Sequence, residues 1–172
     1  MDMNYTELIR DVPDFPVPGI LFRDITTLLK EGPAFQSVID RLCERLGTVK
    51  VDKVVAIESR GFIFGAPIAY KLGVGFVPVR KLGKLPADTI SAEYDLEYGT
   101  NTVEMHRDAI KPGENVVIVD DLLATGGTTR ATIELVEQLG GEISALAFLI
   151  ELTELGAREY LEDYKIITLI RY

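Results

Sequence analysis

The run VVIVDDLLATGGTT at residues 116–129 decides the fold that this sequence predicts. It starts as an apolar strand, Val116–Val119, continues through two carboxylates, and reaches a turn of small residues that opens a helix near Thr128. An apolar strand that leads straight into a helix is typical of a parallel sheet covered on both faces. Ligands of such sheets collect at the carboxyl ends of the strands, which is where this turn lies.

The same alternation of strand and helix continues on both sides of this run. Further apolar strands are predicted at Lys53–Ile57, Phe76–Val79, Ser144–Ile150 and Ile166–Ile170, and helices at about residues 33–47, 64–72, 128–140 and 155–162. This succession predicts an α/β fold with an open, mostly parallel five-stranded sheet and helices on both faces. A chain of 172 residues without internal repeats fits a single domain over residues 1–172.

Two segments interrupt the alternation. Residues 14–29, DFPVPGILFRDITTLL, are rich in proline and aromatic residues and predict a structured arm, which forms a small N-terminal hood of about residues 1–30. Residues 80–92 contain the breakers Gly83 and Pro86, and residues 95–105 have the pattern of two short strands around a turn. We therefore expect a flexible loop and hairpin at about residues 80–106.

Charge and composition exclude several classes of partner. The formal net charge of −9 argues against nucleic acid, because binding to its phosphates needs a surplus of Lys and Arg. The longest apolar stretches are well short of the roughly 20 residues that a membrane-spanning helix needs, so we expect no membrane partner. The single cysteine, Cys43, cannot form an internal disulfide and is expected as a core thiol, which favours a cytoplasmic location.

The turn after the acidic pair has the chemistry of a phosphate cradle, Ala124–Thr128. Gly126 and Gly127 let backbone amides approach an anion, Thr125, Thr128 and Thr129 offer hydroxyls, and the helix start adds its positive dipole end.

Asp120 and Asp121 would then stand beside the cradle, where they could accept from ribose hydroxyls and balance a magnesium ion carried by the sugar. The alternative is a strand that ends in solvent and a helix-capping turn. The two other common phosphate loops, GxGxxG and GxxxxGK[ST], are absent from the sequence.

The run resembles the phosphoribosyl pyrophosphate signature of the type I phosphoribosyltransferases, and its wording DDLLATGGT resembles the adenine branch of that family. The resemblance extends from about Phe15 to the mid-150s. It implies a homodimer, dependence on Mg2+, the small-molecule substrates phosphoribosyl pyrophosphate and adenine, and the products AMP and pyrophosphate.

Two basic segments are candidates for the pyrophosphate end of the site. Ser59, Arg60 and Gly61 follow the first core strand and offer a hydroxyl, a guanidinium and an exposed amide, although Arg60 could also be an ordinary surface residue. In the family this loop binds pyrophosphate, and the resemblance implies a cis peptide next to Ser59.

The segment RKLGKLP is similar to the family's RKxGKLP. The resemblance implies that Arg80, Lys81 and Lys84 reach pyrophosphate, some of them across a dimer interface, whereas a solvated charged loop is the alternative.

The remaining assignments come from resemblance to the adenine enzymes. Leu21, Phe22 and Arg23 would recognise the base, with a purely hydrophobic hood as the alternative. The catalytic residues would be Glu97, Asp120, Asp121 and Arg60, of which Glu97 would handle a purine-ring proton. Tyr98 would shield the site as part of a lid. Glu97 and Tyr98 could instead be exposed strand residues. His106, the sole histidine, is expected at a strand end rather than as a general base.

Two other functions fit parts of the same pattern. A phosphoribosyltransferase for xanthine, hypoxanthine or guanine would share the ribose site, and a non-catalytic phosphoribosyl pyrophosphate-binding regulator would share the fold. The segments RKLGKLP and LEYG favour catalysis, because a sensor has less use for a closing lid.

Overall fold

The computed structural model of the chain describes residues 4–95 and 99–172. The chain divides after Arg41 into two compact units. The division falls within the helix Gly32–Leu46, beyond the arm predicted for about residues 1–30.

The first unit is built around a two-stranded antiparallel hairpin in which Val12 pairs with Phe22. Its connection contains a cis peptide between Phe15 and Pro16, and the Asp14 carboxylate accepts the amide of Gly19 at 2.7 Å. In chain order the elements are a 3-10 helix at Tyr5–Leu8, β1 (Arg10–Pro13), β2 (Leu21–Asp24), α1 (Thr26–Leu29) and the start of α2 (Gly32–Leu46).

Asp24 closes this hairpin and starts α1. Its carboxylate accepts the hydroxyl of Thr26 at 2.7 Å, the amide of Thr26 at 2.9 Å, and the guanidinium of Arg10 at 2.6 Å. These donors, the Thr26 hydroxyl first, lower the pKa of Asp24 to about 2.

The second unit contains a seven-stranded sheet in the order β5-β6-β4-β3-β7-β8-β9. Its elements are β3 (Lys53–Ile57), α3 (Arg60–Leu72), β4 (Gly75–Lys81), β5 (Thr89–Asp95), β6 (Thr100–His106), β7 (Asn115–Leu123), α4 (Gly127–Gln138), β8 (Glu142–Glu151), a 3-10 helix at Thr153–Leu155, α5 (Ala157–Tyr160) and β9 (Ile166–Arg171). Among the described helices none is both long and apolar enough to cross a membrane.

The predicted five-stranded parallel sheet is confirmed as the part formed by β4, β3, β7, β8 and β9. The strand count differs because β6 pairs antiparallel with the end of β4, and β5 pairs with β6. Ile90 and Ala92 on β5 are buried in the core of this unit, so the hairpin continues the sheet. Within the segment predicted as a flexible loop, residues 80–81 and 89–92 are strand, and residues 82–88 connect the two strands.

The strand order creates a switch point between β3 and β7. The chain leaves β3 towards β4 on one side, and leaves β7 towards β8 on the other. Because such crossovers are right-handed, α3 and α4 cover opposite faces of the sheet, as predicted. The loops after β3 and β7 consequently diverge and leave a crevice at the carboxyl ends of these two strands. Val116–Val119 are fully buried, which holds the polar residues that follow at the rim of the crevice.

Candidate active site

The crevice between the ends of β3 and β7 has a volume of about 320 Å³. It brings together residues predicted for pyrophosphate, for ribose and for the 5'-phosphate. Its lining residues are Ile57, Glu58, Ser59, Arg60, Lys81, Tyr94, Val103, Asp120, Asp121 and Thr128.

Two adjacent carboxylates form the β7 side of the crevice. Asp121 is 4% exposed, and its Oδ2 lies 2.9 Å from Nε of Arg60, while its amide donates to Oδ1 of Asp120 at 2.8 Å. Burial and then repulsion from Asp121 raise the pKa of Asp120 well above its usual range. Burial also raises the pKa of Asp121, with the Arg60 guanidinium acting in the opposite direction. The Arg60 guanidinium alone does not offset the burial of Asp120 and Asp121, and a bound cation would favour their ionised forms.

The β3 side is the start of α3, which begins at Arg60 rather than near residue 64 as predicted. The peptide bond between Glu58 and Ser59 is cis, in agreement with the expected cis peptide next to Ser59. Arg60 is thus both the first residue of a helix and the partner of Asp121, and the positive end of the helix dipole faces the crevice.

Gly61 is buried, and the expectation of an exposed amide there is wrong. A Cβ atom at this position would lie 2.9 Å from Oδ1 of Asp120 and 3.0 Å from the carbonyl oxygen of Val119. The absence of a side chain therefore lets the start of α3 pack directly on the end of β7.

The predicted phosphate turn forms the start of α4. Gly126 has a φ of 88° and precedes the first helical residue, Gly127, so the helix N-terminus opens beside the crevice at Thr128. Ala124 and Thr128 are partly exposed and Thr125 is exposed, as a cradle requires. Thr129 is instead 3% exposed, which corrects the expectation that its hydroxyl is offered to a ligand.

The cradle is supported from behind by α5. A Cβ atom on Gly126 would lie 3.3 Å from Cβ of Ala157, so the turn and α5 are in close contact. A second cavity of about 660 Å³ adjoins the turn, with a lining of Glu93, Tyr94, Asp95, Thr125, Gly126, Gly127, Arg130, Ala131, Glu134 and Tyr160. Tyr94 borders both cavities.

The basic segment is divided between a strand and a turn. Arg80 and Lys81 are the last residues of β4, not part of a loop. Nε of Arg80 lies 2.8 Å from Oε2 of Glu58, and the same oxygen accepts the Lys81 amide at 3.1 Å. Lys81 lines the crevice, whereas Lys84 is exposed and is not among the described residues that line it.

Glu104 is a buried charged residue next to the crevice-lining Val103, and sequence reasoning missed it. Its buried carboxylate accepts the backbone amides of Lys84 at 3.0 Å and Leu85 at 2.9 Å. One signal was available, since Glu104 stands between the apolar Val103 and Met105, all three of which are buried. A charged residue within such a run needs internal partners.

The residues assigned to base recognition lie together on β2 of the first unit. Leu21 is exposed, the ring of Phe22 packs edge to face on Phe15 with the ring centroids 5.1 Å apart, and the guanidinium of Arg23 pairs with Asp11 at 2.5 Å. These contacts give the arm a defined surface.

Three further predictions concern the hairpin. Glu97 and Tyr98 lie outside the described residues. His106 is the last residue of β6 and pairs in register with Thr89, as expected for a strand end. Its Nε2 is buried without a hydrogen-bond partner among the described residues, and nothing in these contacts makes it a general base.

The donor set fits a magnesium ion that arrives with the substrate. Within residues 4–95 and 99–172, no group of three or more His, Cys, Asp or Glu side chains could hold a metal ion. Mg2+ is commonly bound through one or two carboxylates together with substrate phosphates. Asp120 and Asp121 are adjacent carboxylates that both line the crevice beside the phosphate turn, and they match that role.

The fold and the crevice together define a doubly wound α/β protein with a phosphate turn, an acidic pair and a guanidinium at its switch point. The phosphoribosyl transferase domain model matches residues 26–170, which extends beyond the mid-150s into β9. The chain is 59% identical to the adenine phosphoribosyltransferase of Chloroflexus aurantiacus, over 96% of this chain and 95% of the relative.

Solved structures agree with this similarity. The crystal structure of adenine phosphoribosyltransferase from Thermoanaerobacter pseudethanolicus has a TM-score of 0.95 at 56% identity, over 97% of both chains. The Saccharomyces cerevisiae enzyme, complexed with D-2,5-dideoxy-2,5-imino-altritol 1,6-bisphosphate and adenine, has a TM-score of 0.90 at 44% identity, over 95% of both chains. The chain belongs to the phosphoribosyltransferase family, in its adenine phosphoribosyltransferase branch.

Proposed function

We propose that the chain transfers ribose 5-phosphate from phosphoribosyl pyrophosphate to adenine and releases AMP and pyrophosphate. The observation that carries the proposal is the meeting of Asp120 and Asp121, the Arg60 guanidinium and the α4 phosphate turn in one crevice. These are the groups that a phosphorylated ribose with a pyrophosphate leaving group requires.

The 5'-phosphate binds at the turn Ala124–Thr128, where the amides before α4 and the hydroxyls of Thr125 and Thr128 donate to its oxygens. Asp120 and Asp121 accept from the ribose hydroxyls and balance the Mg2+ that arrives with the substrate. When bound, Mg2+ neutralises charge on the pyrophosphate. Its positive charge also favours the ionised form of the buried carboxylates.

The bond between ribose C1 and the pyrophosphate oxygen breaks while the base nitrogen bonds to the opposite face of C1. The bonding electrons leave with pyrophosphate, and positive charge develops on the sugar. Arg60, Lys81 and Lys84 stabilise the departing group, and the α3 helix start adds its dipole. Ser59 and Gly61 hold the same loop in position, and Arg80 acts through its ion pair with Glu58.

Adenine is recognised by the arm, through the ring of Phe22, the carbonyl of Leu21 and the guanidinium of Arg23. Such polar groups penalise a base that leaves them unmatched. Glu97 accepts the proton that the attacking ring nitrogen loses, and Tyr98 excludes water during the reaction.

We also propose a cytoplasmic homodimer. Exposed large apolar side chains support the dimer: Tyr70 on α3 is 90% exposed, and Ile63 lies on the same side of that helix. Leu82, after β4, is 63% exposed. The lone Cys43, which is half-buried and not fully in the core, fits a reducing compartment.

The test is to supply phosphoribosyl pyrophosphate and Mg2+ with adenine, hypoxanthine, guanine or xanthine separately, and to measure pyrophosphate release. We expect release with adenine at a kcat/KM far above that of the other purines. Release with another purine would reassign the base, and release with none would favour a non-catalytic regulator.

A further inference from the structure

Glu104 is the starting point, because its charge lies inside the core of the second unit. It is 3% exposed and stands on β6 between two residues that are equally buried. A buried carboxylate is unfavourable unless hydrogen bonds compensate for the lost water. The partners of this carboxylate therefore indicate what it does.

All of those partners belong to one short stretch of chain. Oε1 accepts the amides of Lys84 at 3.0 Å and Leu85 at 2.9 Å, and Oε2 accepts the Thr89 hydroxyl at 3.4 Å. Burial alone would raise the pKa of Glu104, but these donors and the Gly83 amide outweigh it and lower the pKa. The ionised carboxylate thus fixes the connection between β4 and β5, residues 82–88, through these hydrogen bonds.

This β4–β5 connection is flanked by residues that reach the crevice. Lys81 lies just before it and is the register partner of Val103, and both line the crevice. Tyr94, on the strand that follows the connection, lines the crevice as well. Lys84 has a long, exposed side chain, so a fixed backbone restricts where its ammonium can go.

We propose that Glu104 is a positioning residue for the pyrophosphate end of the site. It holds the backbone of the β4–β5 connection and so presents Lys84 to the pyrophosphate group, without touching the substrate itself. The choice of ligand rests on the proposed function. The anchoring rests on the hydrogen bonds of Glu104 alone.

The test compares Glu104→Gln and Glu104→Ala with the parent by steady-state kinetics and by calorimetric titration with magnesium pyrophosphate. Both variants should raise the KM for phosphoribosyl pyrophosphate and the Kd for pyrophosphate by about tenfold or more. The KM for adenine should stay near the parent value. A purely structural role would lower thermal stability and shift both KM values together.

A second variant changes a residue within the β4–β5 connection itself and not the Glu104 side chain. Gly83 has a φ of 81° and open space around it, so Gly83→Ala introduces backbone strain without a clash and leaves Glu104 intact. It should reproduce the selective loss, and its effect should not add to that of Glu104→Gln. Gly113→Ala is the matched control, because Gly113 has a φ of 80°, equally open space and a position in the turn before β7.

Unchanged pyrophosphate affinity in both Glu104→Gln and Gly83→Ala would overturn the inference, as would a parent chain that binds no pyrophosphate. Failure of the proposed function looks different, because the parent would then bind pyrophosphate but release none from phosphoribosyl pyrophosphate with any of the purines. In that case, weaker pyrophosphate binding by Glu104→Gln than by Gly113→Ala would still support the anchoring role.

Discussion

Gly61→Ala tests whether the close packing of α3 on β7 sets the geometry of the crevice. The added methyl group would lie 2.9 Å from Oδ1 of Asp120, 3.0 Å from the Val119 carbonyl oxygen and 3.2 Å from Cα of Asp120. Comfortable contacts are about 3.5–4.0 Å, so the start of α3 must withdraw by about 0.5 Å. Two of the three obstructing atoms are backbone, and a side-chain rotation cannot relieve the clash.

The expected cost has a structural and a catalytic part. Overpacking of this kind typically destabilises a fold by about 1–3 kcal/mol. A displacement of about 1 Å can reduce a rate by about 10²-fold, so a shift of about half that size should lower kcat by about tenfold. The loss should appear in kcat because Arg60 and Asp121 face each other across the contact that is forced apart.

The measurements are kcat from pyrophosphate release and the free energy of unfolding from urea denaturation. Gly32→Ala is the control, because the added Cβ meets no atom within 4 Å beyond its chain neighbours and its own helix, and φ lies outside the left-handed region. It should leave both quantities near those of the parent. A Gly61→Ala enzyme with a kcat within about twofold of the parent would refute the reasoning.

Three further predictions concern charged residues. Joint replacement of Asp120 and Asp121 by Asn should lower turnover by about 10²-fold or more. The fold should persist at pH 7, because burial raises both pKa values and the ionised pair opposes folding there; parental turnover would contradict the assigned role. Arg23→Ala should raise the KM for adenine by about tenfold and spare that for phosphoribosyl pyrophosphate, whereas Asp11→Asn, which removes only the ion-pair partner, should act weakly; equal shifts in both KM values would contradict base recognition. Asp24→Ala should cost about 1 kcal/mol in urea denaturation at pH 7. Because the folded pKa of Asp24 is depressed to about 2, this difference should persist above the unfolded value and disappear as pH falls through about 2; a difference independent of pH would contradict the hydrogen-bond origin of the shift.

The parallel part of the sheet and the acidic end of the site were predictable because their signals are local. Val116–Val119 are uninterrupted apolar residues, and the carboxylates and small residues follow directly. The switch-point rule then placed Asp120 and Asp121 at a ligand crevice without any knowledge of distant contacts. The observed parallel sheet and the family match agree with that prediction.

The misses share a different cause, which is that they depend on contacts remote in sequence. Glu104 is anchored to amides 20 and 19 residues away, and no sequence pattern displays a backbone amide as a partner. The neighbours Ser59 and Arg60 indicate an exposed amide at Gly61, whereas its burial follows from a contact with β7. The observed hairpin is longer than the predicted one because β5 begins at Thr89, whereas Gly83 and Pro86 indicate a loop in that segment.

The convergence of two helix starts on the crevice has a consequence for the approach of ligands. The formal net charge of −9 repels every anion at long range, whereas the dipoles of α3 and α4 attract it at the crevice itself. At physiological salt the Debye length is about 8 Å, so the long-range repulsion is largely screened while the attraction inside the crevice is screened less. A small phosphorylated molecule can enter the crevice, where the helix dipoles attract it. A large polyanion, kept at the surface by its size, meets the repulsion alone.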